Sequence, residues 1–284
     1  MKITFAGLGV MGAPMARHLV TAGHVVTGYN RSPAKAEAWA ETNGAAWAET
    51  VAEAAEGADL FVLCVGNDDD VRQVVTEALP ALAGGAVIVD HTTTSAKVAR
   101  EMAELASQTG RFFIDAPVSG GQAGAENGQL SVMAGGDAGA LARVEAAVMA
   151  YSKAIKHMGP SGAGQLTKMV NQIAIAGVVQ GLAEAVHFAK AAGLDTDAAY
   201  DAVSKGAAQS WQMDNRWKTA AKGEFEFGFA VDWMRKDLGL VLDEAKANGA
   251  TLDLTALVDG YYAEVQAMGG NRWDTSSLKA RLKP

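Results

Sequence analysis

The residues Gly7-Leu8-Gly9-Val10-Met11-Gly12 constrain this chain more than any other stretch. They follow an apolar run, Ile3-Thr4-Phe5-Ala6, and lead into a helical pattern from Met15 to Val20. Strand, G-x-G-x-x-G turn and helix in that order form the dinucleotide-binding fingerprint. Gly7 allows the tight turn, Gly9 lets backbone approach a pyrophosphate, and Gly12 lets helix and strand pack closely. The helix N-terminus adds N–H groups without intrahelical partners and the positive end of a dipole. Leu8, Val10 and Met11 belong to the same turn, so residues 7–12 are expected to hold a nucleotide.

The segments that follow alternate in the manner of a doubly wound fold. Strand-like runs occur at Val25–Tyr29, Leu60–Val65, Ala86–Val89 and Phe112–Ile114, with helical patterns over Val71–Leu82 and Ala96–Gln108 between them. Weaker strand candidates follow at Leu130–Met133 and Ala154–Lys156. The alternation predicts a parallel sheet covered on both faces, an α/β Rossmann-type N-terminal domain. After Gly159 strand-like runs vanish and alanine-rich helical stretches take over, which predicts an all-α C-terminal domain. The expected division is 1–160 and 161–284. The first helix of the second part, from about Gly164 to Ala192, is apolar around its whole circumference and is therefore expected to be buried.

Composition narrows the function classes. With 24 basic and 32 acidic residues the net charge is −8, and no basic run offers a nucleic-acid surface. Cys64 is the only cysteine, which removes intramolecular disulfides and cysteine-based metal clusters. No clustered His/Asp/Glu set suggests a metal. No apolar run reaches the ~18 residues of a membrane span, and the chain opens directly on a strand, so a cytoplasmic protein without membrane or nucleic-acid partners is expected.

Three further segments carry chemistry. After the second strand, where a carboxylate would take the ribose hydroxyls of NAD, the chain has Asn30-Arg31-Ser32 and then Lys35. A guanidinium there suits the 2′-phosphate of NADP, so NADP is expected in preference to NAD. The second segment, Asp115-Ala116-Pro117-Val118-Ser119-Gly120-Gly121, lies beyond a strand end, where open α/β sheets bind ligands. Its glycines and the Ser119 hydroxyl can form an anion concavity for a substrate carboxylate. The third is the glycine-rich Gly159–Gly164 leading to Lys168, Asn171 and Gln172, which share a helix face. Burial of Lys168 would lower its pKa towards neutrality, the range in which an amine exchanges a proton with an alcohol.

These segments, in this order and spacing, resemble the β-hydroxyacid dehydrogenase family, typified by 3-hydroxyisobutyrate dehydrogenase, over essentially the whole chain. The resemblance implies hydride transfer between a nicotinamide and a small 3-hydroxy acid or its semialdehyde, with the helical domain serving substrate binding and oligomerisation. It implies Lys168 as general acid/base, the Ser119-Gly120-Gly121 backbone as the carboxylate site, and Asn171, with Gln172 beside it, at the substrate oxygen. It further implies a nicotinamide-side contact from Thr93, cofactor closure by Lys236, and an aromatic lining from Phe227 and Phe229. Val65, at its strand end, is counted with the cofactor contacts. A homodimer or homotetramer is expected. Two other readings remain: an imine reductase, against which Lys168 argues, and a non-catalytic nucleotide-binding protein on a dehydrogenase scaffold. Trp211, Met213 and Trp233 are candidates for substrate discrimination. His91, beside the Thr92-Thr93-Thr94 loop, is the histidine to watch.

Overall fold

A computed structural model describes residues 1–282; positions 283–284 of the expected second domain lie outside the described residues. The chain divides into two compact units, the first ending at Lys168 and the second beginning at Met169.

The first unit is built on a nine-stranded sheet. Its strands are β1 (Lys2–Ala6), β2 (Val25–Tyr29), β3 (Ala46–Trp47), β4 (Leu60–Leu63), β5 (Val87–Asp90), β6 (Phe112–Asp115), β7 (Val118–Ser119), β8 (Leu130–Gly135) and β9 (Ser152–Gly159). The spatial order is β3-β2-β1-β4-β5-β6-β8-β7, with β9 on β8. From β3 to β6 all pairs are parallel, whereas β8 runs antiparallel to β6 and β7. The parallel sheet expected from the sequence is thus present from β3 to β6, with an antiparallel edge at β8 that the sequence did not indicate. Directly after β6 the chain forms β7 and then the short helix Gly121–Glu126, and β8 returns antiparallel to both β6 and β7.

The helices of this unit are α1 (Gly12–Thr21), α2 (Pro33–Asn43), α3 (Val51–Ala55), α4 (Asp68–Ala78), α5 (Ala96–Gln108), α6 (Gly121–Glu126) and α7 (Ala138–Val148). Side-chain alternation along the strands divides the core between the two faces. Ile3, Phe5, Leu60, Val62, Val87, Val89 and Ile114 pack against α1, α2 and α7. Ala6, Phe61, Leu63, Ile88 and Phe113 face α3, α4 and α5. Burial on both faces explains why β4 and β5 read as continuous apolar runs instead of alternating ones. Helix starts follow local chemistry: Thr50 and Glu53 form a capping box, and Asn67, Ser95 and Asp137 cap α4, α5 and α7.

The long helix α8 (Ala163–Ala191) begins in the first unit and continues into the second, which also contains α9 (Thr196–Val203), α10 (Trp211–Lys222), α11 (Val231–Asn248) and α12 (Asp253–Ala267). The compact units meet at 168/169, eight residues beyond the expected 160/161, and the first turn of α8 is hydrogen-bonded to the sheet, as described below. Ala176, Val179 and Ala183 of α8 pack with Val231, Met234 and Leu238 of α11 and Val258, Tyr262 and Val265 of α12. Val186 packs with Met213 and Trp217 of α10. Met213 is therefore a core residue, not a pocket wall.

Two expectations about α8 are corrected. By length and mean hydropathy, 1.3 over its best window, it could cross a membrane, because Gln and Glu interrupt its apolar run without lowering the average far. Its buried stripe nevertheless builds the core just described. Nor is it buried all round: Val170, Ala174, Val178, Gly181, Ala185 and Phe188, spaced three and four apart on one face, are exposed. Phe188 reaches 70% exposure.

Candidate active site

The first cluster surrounds the β1–α1 turn. Gly7 has φ +97°, and a Cβ there would lie 2.2 Å from the Cys64 carbonyl oxygen, so only glycine makes this turn. A Cβ on Gly12 would meet the Gly7 carbonyl oxygen at 1.9 Å, which is the close packing of helix on strand. At Gly9 a Cβ would meet nothing within 4 Å. Val10 is exposed, Leu8 is buried, and Met11, the N-cap of α1, makes no side-chain capping bond. In the first turn of α1 the Ala13 N–H already donates to the Gly9 carbonyl at 3.0 Å and Pro14 has none, so the open space at Gly9 beside the exposed Val10 is where the backbone could admit a diphosphate.

Asn30 ties the second strand end to this turn. Its Oδ1 accepts from the Leu8 N–H at 3.1 Å, and its Nδ2 donates to the Ser32 carbonyl. Arg31 is 88% exposed at its side chain and pairs with Asp70 at 3.4 Å. Ser32 is the N-cap of α2 without a side-chain capping bond, and Lys35 is exposed. On the β4 side, the Val65 N–H donates to Thr92 Oγ1 at 3.0 Å, which joins the ends of β4 and β5 beside Thr93.

Lys168 lies in a second cluster, at the start of α8. Asp115, fully buried at the end of β6, accepts the Gly162 and Gln165 N–H groups at 2.8 and 2.9 Å. Burial raises its pKa, and those backbone N–H bonds oppose the rise. Gln165 then crosses to the β5 loop: its Nε2 donates to the Thr92 carbonyl at 2.8 Å and its Oε1 accepts from the Thr94 N–H at 3.1 Å. No Cβ fits at Gly164, where it would lie 2.4 Å from the carbonyl oxygens of both Asp115 and Met133. So anchored, one turn further on, Lys168 is 9% exposed, and its Nζ donates to the Val118 carbonyl at 2.9 Å. Ser119 follows directly, then Gly120 and Gly121, exposed and at φ +133° and +62°. The structure thus brings the lysine within one residue of the expected carboxylate loop.

His91 occupies the base of this arrangement. Its Nδ1–H donates to the Ala116 carbonyl at 2.6 Å, and its Nε2 accepts from the Tyr151 hydroxyl at 2.8 Å. Burial pushes the His91 pKa down to about 4 and pushes that of Tyr151 up, so the imidazole is neutral with its proton on Nδ1.

The remaining expected residues belong to the second unit. Asn171 Nδ2 donates to Gln172 Oε1 at 2.7 Å, and Gln172 Nε2 donates to Asp237 Oδ2 at 2.7 Å. Lys236 Nζ stands 3.4 Å from Asp237 Oδ1. Gln172 and Asp237 are both buried, so Gln172 points into α11 while orienting the Asn171 amide. Phe229 is half-exposed, and its N–H donates to Asp274 Oδ2 at 3.1 Å. Phe227 stacks on the Arg216 guanidinium, which also meets the ring of Trp211.

Sequence reasoning did not assign Asp115, Gln165 or Asp237 to the site. One signal was available: Gln165, Lys168 and Gln172 recur at three and four residues, a polar stripe on an apolar helix. Asp115 carried no such periodicity, since its partners come from the loop before α8 and its first turn. Among the described residues no group of three or more His, Cys, Asp or Glu could hold a metal ion.

Residues 2–159 match the NAD-binding domain of 6-phosphogluconate dehydrogenase, and residues 162–282 match the NAD-binding region of NADP-dependent 3-hydroxyisobutyrate dehydrogenase. An uncharacterised oxidoreductase of Shewanella frigidimarina is 60% identical over 285 residues, covering 99% of this chain and 98% of that protein. The solved structure of Mycobacterium tuberculosis 3-hydroxyisobutyrate dehydrogenase with L-serine superposes with a TM-score of 0.91 at 34% identity, over 100% of this chain and 99% of that one. A Streptomyces aurantiacus imine reductase aligns over all of both chains at 22% identity and a TM-score of 0.68, a likeness of fold alone. The chain belongs to the β-hydroxyacid dehydrogenase family. It is an NAD(P)-dependent hydroxyacid dehydrogenase of the 3-hydroxyisobutyrate dehydrogenase type, which sets aside the non-catalytic reading.

Proposed function

We propose that this enzyme interconverts a small 3-hydroxy acid and its semialdehyde with NADP in preference to NAD, and that Lys168 carries the proton. The observation that carries the reading is the buried Lys168 ammonium held 2.9 Å from the Val118 carbonyl, next to Ser119. In reduction Lys168 gives its proton to the oxygen that becomes the alcohol; in oxidation it takes the hydroxyl proton. The Ser119 hydroxyl and the backbone N–H groups of Gly120 and Gly121 bind the substrate carboxylate, and Asn171 orients the substrate oxygen with Gln172 behind it. A bound nicotinamide supplies the hydride in one direction and accepts it in the other. Residues 7–12 would hold its diphosphate, with Val65 and Thr93 along the same strand ends, and the family resemblance assigns Lys236 to the cofactor as well.

Arg31 supports the NADP preference. Its guanidinium is exposed and, apart from the long contact to Asp70, available to fork onto a 2′-phosphate, with Ser32 and Lys35 beside it. Exposed apolar side chains along α8 support a homo-oligomer. A cytoplasmic location rests on the sequence reading alone.

Consumption of NADPH and NADH should be followed in parallel against small semialdehyde acids and cyclic imines. Turnover of a semialdehyde acid with NADPH preferred is the expected result. Turnover confined to NADH would overturn the Arg31 assignment, and activity confined to imines would overturn the substrate class.

A further inference from the structure

His91 has a buried, fully committed side chain that the proposed proton route does not use. It follows β5, and Ala116 follows the adjacent β6; Asp90 and Asp115 are register partners at the ends of these strands. The Ala116 N–H donates to the Asp90 carbonyl at 2.7 Å and its carbonyl accepts His91 Nδ1–H at 2.6 Å. Ala116 is thus held through both its N–H and its carbonyl. Two residues later the Val118 carbonyl receives the Lys168 ammonium, and the next residue is Ser119. The imidazole is itself held by the Tyr151 hydroxyl, 60 residues away in sequence, whose ring packs edge-on against it at 5.4 Å. Tyr151 is completely buried, so this brace is fixed to the core under α7.

We infer that His91 is a positioning residue for the reaction: through the Ala116 carbonyl it sets the place of the Val118 carbonyl that aims Lys168. The inference rests on the Lys168 reading above. The two ring nitrogens divide the labour. Nδ1–H sets the loop, while Nε2 only secures the ring to Tyr151.

That division gives a test in which two variants each lose one buried hydrogen bond. An asparagine amide nitrogen falls where Nδ1 stands, and a glutamine amide nitrogen falls where Nε2 stands. His91→Asn therefore keeps the bond to Ala116, and His91→Gln keeps the side facing Tyr151. Because sub-ångström placement of a proton carrier governs rate, His91→Gln is expected to lower kcat by about 10-fold or more, with KM for the carboxylate substrate raised. His91→Asn should stay within about 3-fold of wild type on the same argument. Urea midpoints are measured for both, since a purely structural histidine predicts turnover that follows stability. Equal loss of kcat in the two variants, or kcat that tracks the midpoint, would overturn the inference.

A second readout needs no turnover. Labelling of Lys168 by an amine-reactive acyl ester, followed by mass spectrometry, is expected to accelerate in His91→Gln and to match wild type in His91→Asn. Unchanged labelling in His91→Gln counts against the inference. Full turnover in Lys168→Ala would instead sink the proton reading, and the labelling result would still report on the brace.

Discussion

Lys168 is the residue on which the proposed proton route turns. Lys168→Ala removes the donor and leaves the residue 7–12 turn untouched, so kcat should fall by roughly 10²–10⁴-fold. NADPH affinity, measured by fluorescence titration, should change little; near wild-type kcat would place the proton elsewhere. Arg31→Ala should raise the NADPH Kd by about 10-fold or more, the loss of one charge-assisted fork, and leave NADH unchanged. Equal weakening of both cofactors would mean that Arg31 serves the adenosine and not a phosphate. His91 makes a prediction about pH. Its folded pKa, about 4, lies below the unfolded value of 6.5, so between these limits the unfolded chain binds the extra proton. Its contribution is therefore whole above pH 6.5 and declines as pH falls towards 4, by on the order of 2 kcal/mol at pH 5. Asp115 acts in the opposite sense, because its raised pKa favours the native state as pH falls through that value. Urea midpoints at pH 7.5 and pH 5 should show a smaller drop for His91→Asn than for wild type; identical drops would mean another group governs acid stability.

At the scale of elements, the start of α8 decides where Lys168 points. Asp115 supplies a carboxylate to the first N–H groups of a 29-residue helix, and Gln165 bolts the same turn to the Thr92–Thr94 loop. Gly164 leaves no room for adjustment, because its obstructing atoms are backbone carbonyls of β6 and β8. Gly164→Ala should cost about 1–3 kcal/mol through overpacking and lower kcat in parallel, read as a reduced Tm together with slower turnover. An alanine variant with wild-type Tm would show that the helix start can shift. The elements themselves were largely legible. β2 and α5 fall where hydrophobic periodicity places them, and β8 and β9 emerge from the weaker runs. β3 and β7, two residues each, were not, since such short strands are defined by a neighbour and not by a pattern. The antiparallel turn at β8 is of the same kind.

At the scale of the whole molecule, a face of α8 carrying Val170, Val178 and Phe188 meets solvent in the single chain. Burying such a stripe against a second copy removes apolar area from water at about 25 cal/mol per Å². Light scattering should therefore find more than one chain per particle, and Val178→Glu with Phe188→Glu should shift the population to monomer. A monomeric wild type would leave the stripe without a function in assembly. The sequence alone determined the glycine turn after β1, the α/β and all-α division and the place of Lys168 in the first turns of a long apolar helix. Glycine spacing, hydrophobic period and a lysine early in an apolar helix are local properties, carried by residues a few positions apart. Only the tertiary structure decided that Asp115 and Gln165 anchor the helix that carries that lysine, that Val118 receives its ammonium, and that Gln172 turns towards Asp237. Those bonds join residues between 47 and 73 positions apart. Their existence depends on which strand ends and helices become neighbours, and no local pattern encodes that.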